Sequence, residues 1–210
     1  MSLRGLYAIT SAALCGDREK LLTATAAALR GGAALIQYRD KRGDRITRAT
    51  NARALLALCH EHGAKLIVND DVELALAIGA DGVHLGATDA PLAEARMRLG
   101  REAILGASCG SDLDRARAAW AAGASYVAFG LFFDSHTKPD APQATLQLLR
   151  EARATSTGPI CAIGGVTPQN AAALIAAGAD LIAAVEGVFG EGEPALVEVA
   201  AKAYSRLFAG

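Results

Sequence analysis

Residues 31–39 read GGAALIQYR and residues 62–70 read HGAKLIVND: a Gly-Ala step, then a short apolar run closing on polar side chains. The phrase returns as IGADGVHLG at 78–86, AGASYVAFG at 122–130 and AGADLIAAV at 177–185. Glycine takes the left-handed conformation that ends a helix. The apolar run after it, lacking polar alternation, suits a strand buried on both faces. A helix followed by a buried strand, repeated, implies parallel pairing with helical crossovers.

Two further apolar runs, 103–108 and 159–164, follow helical patterns without that signature, and 6–10 opens the chain in the same way. The predicted strands are therefore 6–10, 34–39, 65–69, 82–86, 103–108, 126–130, 159–164 and 181–186. Helical patterns such as DREKLLTATAAALR from Asp17 and SDLDRARAAWAA from Ser111 fill the gaps. Ser111 and Thr167 stand at N-cap positions, with Pro168 in a first helical turn. Eight units in 210 residues leave about 26 residues each, enough for a strand, a helix and two short loops. The expected fold is α/β, a single-domain (β/α)8 TIM barrel over residues 1–210 with no linker or second domain.

Composition narrows the classes further. Alanine accounts for 48 residues, so the 52% hydrophobic fraction consists largely of small side chains that permit close helix-on-sheet packing. With 21 basic and 22 acidic residues there is no global field to gather nucleic acid or an anionic membrane. No apolar run reaches the roughly 18 residues of a membrane span; the best, 171–185, is interrupted by Gly178 and Asp180. The N-terminus, with Arg4 ahead of GLYAITSAALCG, contains Thr10 and Ser11 and lacks a clean cleavage site, so no secretion signal is expected. Cys15, Cys59, Cys109 and Cys161 are far apart with no CxxC, as in small buried thiols of a reducing compartment. A cytoplasmic protein is expected, and a homo-oligomer is left open.

In such a barrel the chemistry sits at the C-terminal strand ends, and the polar residues collect there. Gln37, Arg39 and Lys41 alternate and so share one face of an extended segment. Arginine offers a bidentate fork and lysine a mobile charge, a pairing suited to a diphosphate, while glutamine can orient a heterocycle. Asn69 and Asp70 close a strongly apolar strand; Asp71 is the better candidate to cap the following helix. Asp70 with Asp89 makes a carboxylate pair of the kind that holds Mg²⁺ beside phosphate. His84, in mid-strand, reads as a packed histidine. The loop 134–140 brings Ser135, His136, Thr137 and Lys138 together, and Gly164-Gly165 opens a helix at Thr167. Hydroxyls, lysine and helix-terminal N–H groups all suit phosphate.

Five segments carry a resemblance to a known family: QYRDK at 37–41, VNDD at 68–71, GADGVHLGATD at 79–89, SHTKPDA at 135–141 and AIGGVTPQN at 162–170. In this order they resemble the thiamine phosphate synthases, and the likeness runs from GLYAIT to VFG. The resemblance implies an enzyme joining hydroxymethylpyrimidine diphosphate to hydroxyethylthiazole phosphate, with Mg²⁺ as cofactor. By position it implies that Gln37, Tyr38, Arg39, Asp40, Lys41, Asn69, Ser108 and Lys138 hold the pyrimidine diphosphate. Asp70 and Asp89 are implied as metal ligands. Ser135, His136, Thr137, Gly165, Val185 and Glu186 are implied at the thiazole phosphate, and Arg39, Lys41 and Lys138 as electrostatic catalysts.

Two departures stand out. Ser135-His136-Thr137-Lys138 replaces a Thr-x-Thr-Lys pattern, keeping the hydroxyl, and Glu186 stands where many members have serine. A carboxylate aimed at phosphate would repel it by around 1 kcal/mol at short range, so Glu186 is expected to point away while backbone N–H groups bind. A thiazole tautomerase-like isomerase is the nearest rival. It lacks the Asn-Asp and carboxylate metal pair and carries a histidine near strand five, where this chain reads Ser108-Cys109-Gly110-Ser111. A non-catalytic thiamine- or phosphate-binding regulator is the other alternative, without an attached output domain to support it.

Overall fold

The computed structural model describes residues 3–133, 143–156, 158–190 and 192–209. Eight parallel strands close in sequence order: β1 (Gly5–Ile9), β2 (Ala33–Tyr38), β3 (Lys65–Asn69), β4 (Gly82–Leu85), β5 (Ile104–Gly110), β6 (Tyr126–Phe129), β7 (Ile160–Ile163) and β8 (Leu181–Ala184). Leu181 of β8 lies beside Gly5 of β1 and completes the ring. The helices are α1 (Ala12–Cys15), α2 (Arg18–Arg30), α3 (Arg45–Glu61), α4 (Val72–Ile78), α5 (Leu92–Leu99), α6 (Leu113–Ala121), α7 (Leu146–Thr155), α8 (Pro168–Ala176), α9 (Glu186–Phe189) and α10 (Pro194–Arg206). All eight expected strands are present, none displaced by more than two residues at either end. No described helix is long and apolar enough to cross a membrane.

Local differences have local causes. Asp112, not Ser111, caps α6, because its carboxylate accepts from the N–H groups of both Asp114 and Arg115. The short helices α1 and α9 decorate the β1 and β8 loops and have too few residues to announce themselves by periodicity. The alanine content is used where helices meet. Ala24, Ala27, Ala28 and Ala201 are fully buried, and a Cβ at Gly31 would collide with Ala201.

Alternation along each strand divides two cores. Leu6, Ile36, Leu66, Val68, Val83, Leu105, Val127, Ile160 and Ile182 face the helices. Tyr7, Ile9, Leu35, Ile67, Tyr126, Ala128, Cys161, Leu181 and Ala183 fill the barrel. Glycines at 82 and 106 make room inside, since a Cβ at Gly82 would strike the Ile104 carbonyl.

The Gly-Ala signature has a further structural meaning at the N-terminal end of the barrel. At three of its five occurrences the residue after it clasps the preceding strand: Asp81 accepts from Leu66 N–H at 2.9 Å, Ser125 from Leu105 N–H at 3.0 Å and Asp180 from Ile160 N–H at 2.9 Å. Basic side chains complete each clasp, Lys65 and His60 on Asp81, Arg96 on Ser125 and Arg153 on Asp180. Burial pushes the Asp81 carboxyl up, but its bonds to Lys65, Leu66 N–H and His60 outweigh that and hold it below the ordinary carboxylate range. Asp81→Ala should therefore destabilise by about 2 kcal/mol in urea unfolding at neutral pH, leaving the Leu66 N–H and the Lys65 ammonium short of an acceptor. Because the folded pKa is depressed, this contribution is present above the unfolded value of about 3.9 and is lost as pH falls through the folded one. The gap between variant and wild type should shrink below that pH.

Candidate active site

The C-terminal ends of β2, β3 and β4 meet over one sector of the barrel mouth. Gln37 projects inward and is buried, donating through Nε2 to the Tyr7 hydroxyl at 2.6 Å. Arg39 is the first residue after β2. Its backbone N–H is fixed at 2.9 Å by the hydroxyl of the fully buried Thr10. Lys41 is exposed, and its ammonium reaches the Asp70 carboxylate at 2.9 Å.

Tyr38 and Asp40 make their hydrogen bonds within the protein. Within β2 the period of two that points Gln37 inward turns Tyr38 to the other face. Tyr38 is buried in the outer, helix-facing core and donates from its hydroxyl to Asp40 at 3.1 Å. Asp40 also accepts from the N–H groups of Arg42 and Gly43, each at 2.9 Å, folding the loop after β2. Burial raises its carboxyl, but these three donors and the nearby Arg48 leave it below the usual range.

After β3 the three polar residues separate by role. Asn69 is half-buried, on the inward-facing position paired with His84. Asp71 caps α4 by accepting from Leu74 N–H at 2.8 Å and pairs with Arg48 at 2.9 Å. Between them, Asp70 sits at φ 62°, the one non-glycine with positive φ among the described residues. Its N–H donates to the His84 carbonyl at 2.9 Å, which anchors the turn. A left-handed conformation costs an aspartate about 1–2 kcal/mol, and here it places the carboxylate between Lys41 and Asp89.

Asp89 accepts from Gly86 N–H at 2.6 Å and lies within hydrogen-bonding reach of Asp70. Burial pushes the Asp70 carboxyl up, but Lys41, Asp89 and Asn69 more than compensate and leave it below its ordinary value. Burial and then Asp70 itself push Asp89 above its own. Two touching carboxylates thus share one lysine, and a second positive charge would relieve what remains. The donor set fits a hard divalent cation that keeps water and phosphate oxygens as its other ligands. Among the described residues no group of three or more His, Cys, Asp or Glu gathers for a cage made of protein ligands alone.

Ser108, from β5, lies across the mouth with its hydroxyl 2.8 Å from His84 Nε2. His84 is a buried, bonded histidine, as its mid-strand position suggested, but it touches a candidate site residue directly. Gly165 takes φ 59° after Gly164 at φ 105°, and its carbonyl accepts from Asn170 Nδ2 at 3.1 Å. Asn170 Oδ1 in turn accepts from Thr167 N–H at 2.8 Å, so the entry to α8 is tightly held. Val185 is half-buried at the start of α9, and Glu186 is exposed. Ser135, His136, Thr137 and Lys138 lie outside the described residues.

Thr10, Tyr7 and Tyr126 were not anticipated as contributors. Thr10 and Tyr7 support Arg39 and Gln37 from β1 and its following residue. Their signal was faint, a hydroxyl at the end of an apolar strand and tyrosines within apolar runs.

A family model described as thiamine monophosphate synthase matches residues 6–188. A thiamine-phosphate synthase of Thioalkalivibrio sulfidiphilus (strain HL-EbGR7) is 58% identical over 192 residues, 91% of this chain and 90% of that one. The structure of thiamine phosphate pyrophosphorylase from Pyrococcus furiosus matches at a TM-score of 0.87 and 31% identity, covering 99% of this chain and 96% of that one. Mycobacterium tuberculosis tryptophan synthase, at 12% identity and a TM-score of 0.71 over 97% of this chain and 92% of that one, shares the barrel alone. Matched along most of its length by the family model and by a relative more than half identical, the chain belongs to the thiamine monophosphate synthase family, transferases of thiamine biosynthesis.

Proposed function

We propose that this transferase joins hydroxymethylpyrimidine diphosphate to hydroxyethylthiazole phosphate. The bond from the pyrimidine methylene to the diphosphate oxygen breaks, the thiazole nitrogen bonds to that methylene, and thiamine phosphate and pyrophosphate leave. The observation that carries the reading is the cluster of Lys41, Asp70 and Asp89 at the ends of β2, β3 and β4. Both signs of charge converge where a polyanion would need cations and a metal.

In this reading Gln37, Asn69 and Ser108 orient the pyrimidine, and Arg39 and Lys41 bind the diphosphate, with Lys138 added by position. Asp70 and Asp89 would hold Mg²⁺, which supplies charge neutralisation on the diphosphate when bound. The departing bond leaves positive character on the methylene, which the ring amino group shares by pushing electrons. The chain's own task is to align two rings and to meet the charge developing on the leaving group with fixed donors. No nucleophilic side chain is required. Ser135, His136, Thr137, Gly165 and the 185–186 segment would hold the thiazole phosphate.

Glu186 is exposed, consistent with a side chain turned out to solvent. Glu186→Ser should then change thiazole phosphate affinity less than tenfold; a gain of tenfold or more would show that the carboxylate faces the phosphate. The reading as a whole is tested by pyrophosphate release, which should require both substrates and a divalent cation together. Isomerisation of a thiazole without release would favour the tautomerase alternative. Product binding without turnover would favour a regulator.

A further inference from the structure

Five buried or half-buried side chains form one hydrogen-bonded line across the barrel interior, and only its two ends enter the function proposed above. Gln37 Nε2 donates to the Tyr7 hydroxyl at 2.6 Å, and the Tyr7 and Tyr126 hydroxyls are 2.9 Å apart. The Tyr126 oxygen lies 2.8 Å from His84 Nδ1, and His84 Nε2 lies 2.8 Å from Ser108 Oγ. The line is built into the barrel. The two tyrosine rings meet edge to face, the His84 ring stacks on Tyr126, and any Cβ at Gly106 would collide with the Tyr126 ring and hydroxyl. Burial pushes both phenols up and keeps them protonated.

Each phenol has one proton to give. Tyr7 accepts from Gln37; with every phenol proton donated along the line, the Tyr7 proton goes to Tyr126 and the Tyr126 proton to His84 Nδ1. A bare Nδ1 makes Nε2 the protonated nitrogen, which donates to Ser108 Oγ. The serine proton is then left for an acceptor beyond the line. The opposite polarity requires the Gln37 amide to turn over and every bond to reverse. The two ends are therefore coupled through Tyr7, Tyr126 and His84.

We propose that Tyr7 and Tyr126 are positioning residues whose hydrogen-bonded line fixes the pattern that Gln37 and Ser108 present to the pyrimidine. Gln37 presents Oε1 as an acceptor and Ser108 presents its hydroxyl as a donor, which selects a 4-amino over a 4-oxo ring. The specificity half of this inference rests on the substrate reading above; the polarity of the line does not.

Nitrogen-15 NMR of labelled histidine in the free protein, with His84 assigned through His84→Asn, reads the polarity without any substrate. A neutral Nε2–H ring at neutral pH is expected, passing to a mixture of tautomers in Tyr126→Phe. An Nδ1–H or doubly protonated ring in the wild type would overturn the proposal. Equilibrium binding of the 4-amino and 4-oxo forms of hydroxymethylpyrimidine diphosphate then reads specificity. Wild type should prefer the amino form by about a hundredfold, on the scale of a site whose buried polar groups are left unpaired by the wrong ligand. Tyr7→Phe, which frees the Gln37 amide to turn over, should reduce that preference below tenfold. An unchanged ratio in Tyr7→Phe would overturn the specificity claim. Failure of the wild type to bind either form would sink the substrate reading and the specificity claim with it, while the histidine tautomer still decides the polarity.

Discussion

Asp70→Asn should lower kcat/KM about a thousandfold, the scale of losing a group that stabilises charge in the transition state, while the protein folds as stably as before. Asparagine adopts the left-handed conformation as readily as aspartate, so the backbone at φ 62° keeps its turn. The substitution removes one of two touching carboxylates and releases Lys41 from its 2.9 Å pair. Relief of that like-charge contact opposes loss of the partly exposed ion pair, so stability should change by no more than about 1 kcal/mol. The neighbouring Asp71→Asn gives the contrast. Asp71 caps α4 and pairs with Arg48; asparagine keeps the cap and loses only the partly exposed ion pair, so stability should fall by no more than about 1 kcal/mol and kcat/KM should stay within a few-fold. Steady-state kinetics and urea unfolding on both variants decide the matter. An Asp70→Asn enzyme within tenfold of wild type would remove the acidic pair from the chemistry.

Stripping divalent cations with a chelator should abolish at least 99% of the activity, the hundredfold scale of a several-kcal/mol electrostatic contribution, and Mg²⁺ should restore it. Asp70 and Asp89 are two carboxylates in contact. Lys41 balances one charge, and Asp89 stands above its ordinary pKa after burial and Asp70 push it up. That is the signature of a pair one positive charge short. With only two protein carboxylates, the ion would keep several waters and depend on the substrate's phosphates for the rest of its shell. Binding in the absence of substrate should therefore be weak, and removal by chelator rapid. Asp89→Ala should raise the Mg²⁺ concentration for half-maximal rate at least about tenfold, as loss of a ligating or supporting carboxylate does. Full activity in the chelator would contradict the metal assignment.

How far the sequence alone discloses such a site depends on which physical signal each residue leaves. The barrel was legible because Gly-Ala steps at 31–33, 63–64, 79–80, 123–124 and 178–179 punctuate apolar runs that suit buried strands. The roles of Asp70 and Asp71 were separable because a cap belongs immediately before a helical pattern. QYRDK reads as one motif, but within β2 Gln37 turns inward while Tyr38 joins the helix-facing core. The joining of Tyr7, Tyr126 and His84 into one line left no local signal. It depends on side chains from β1, β6 and β4 meeting across the barrel, and on Gly106 leaving the room for them.

The most direct test of the central claim is a crystal structure with pyrophosphate and Mn²⁺, read by anomalous scattering. The metal should lie between the Asp70 and Asp89 carboxylates and touch pyrophosphate oxygens, with Arg39 and Lys41 on the same anion. Pyrophosphate bound away from the β2, β3 and β4 ends, or a metal that contacts neither aspartate, would contradict it.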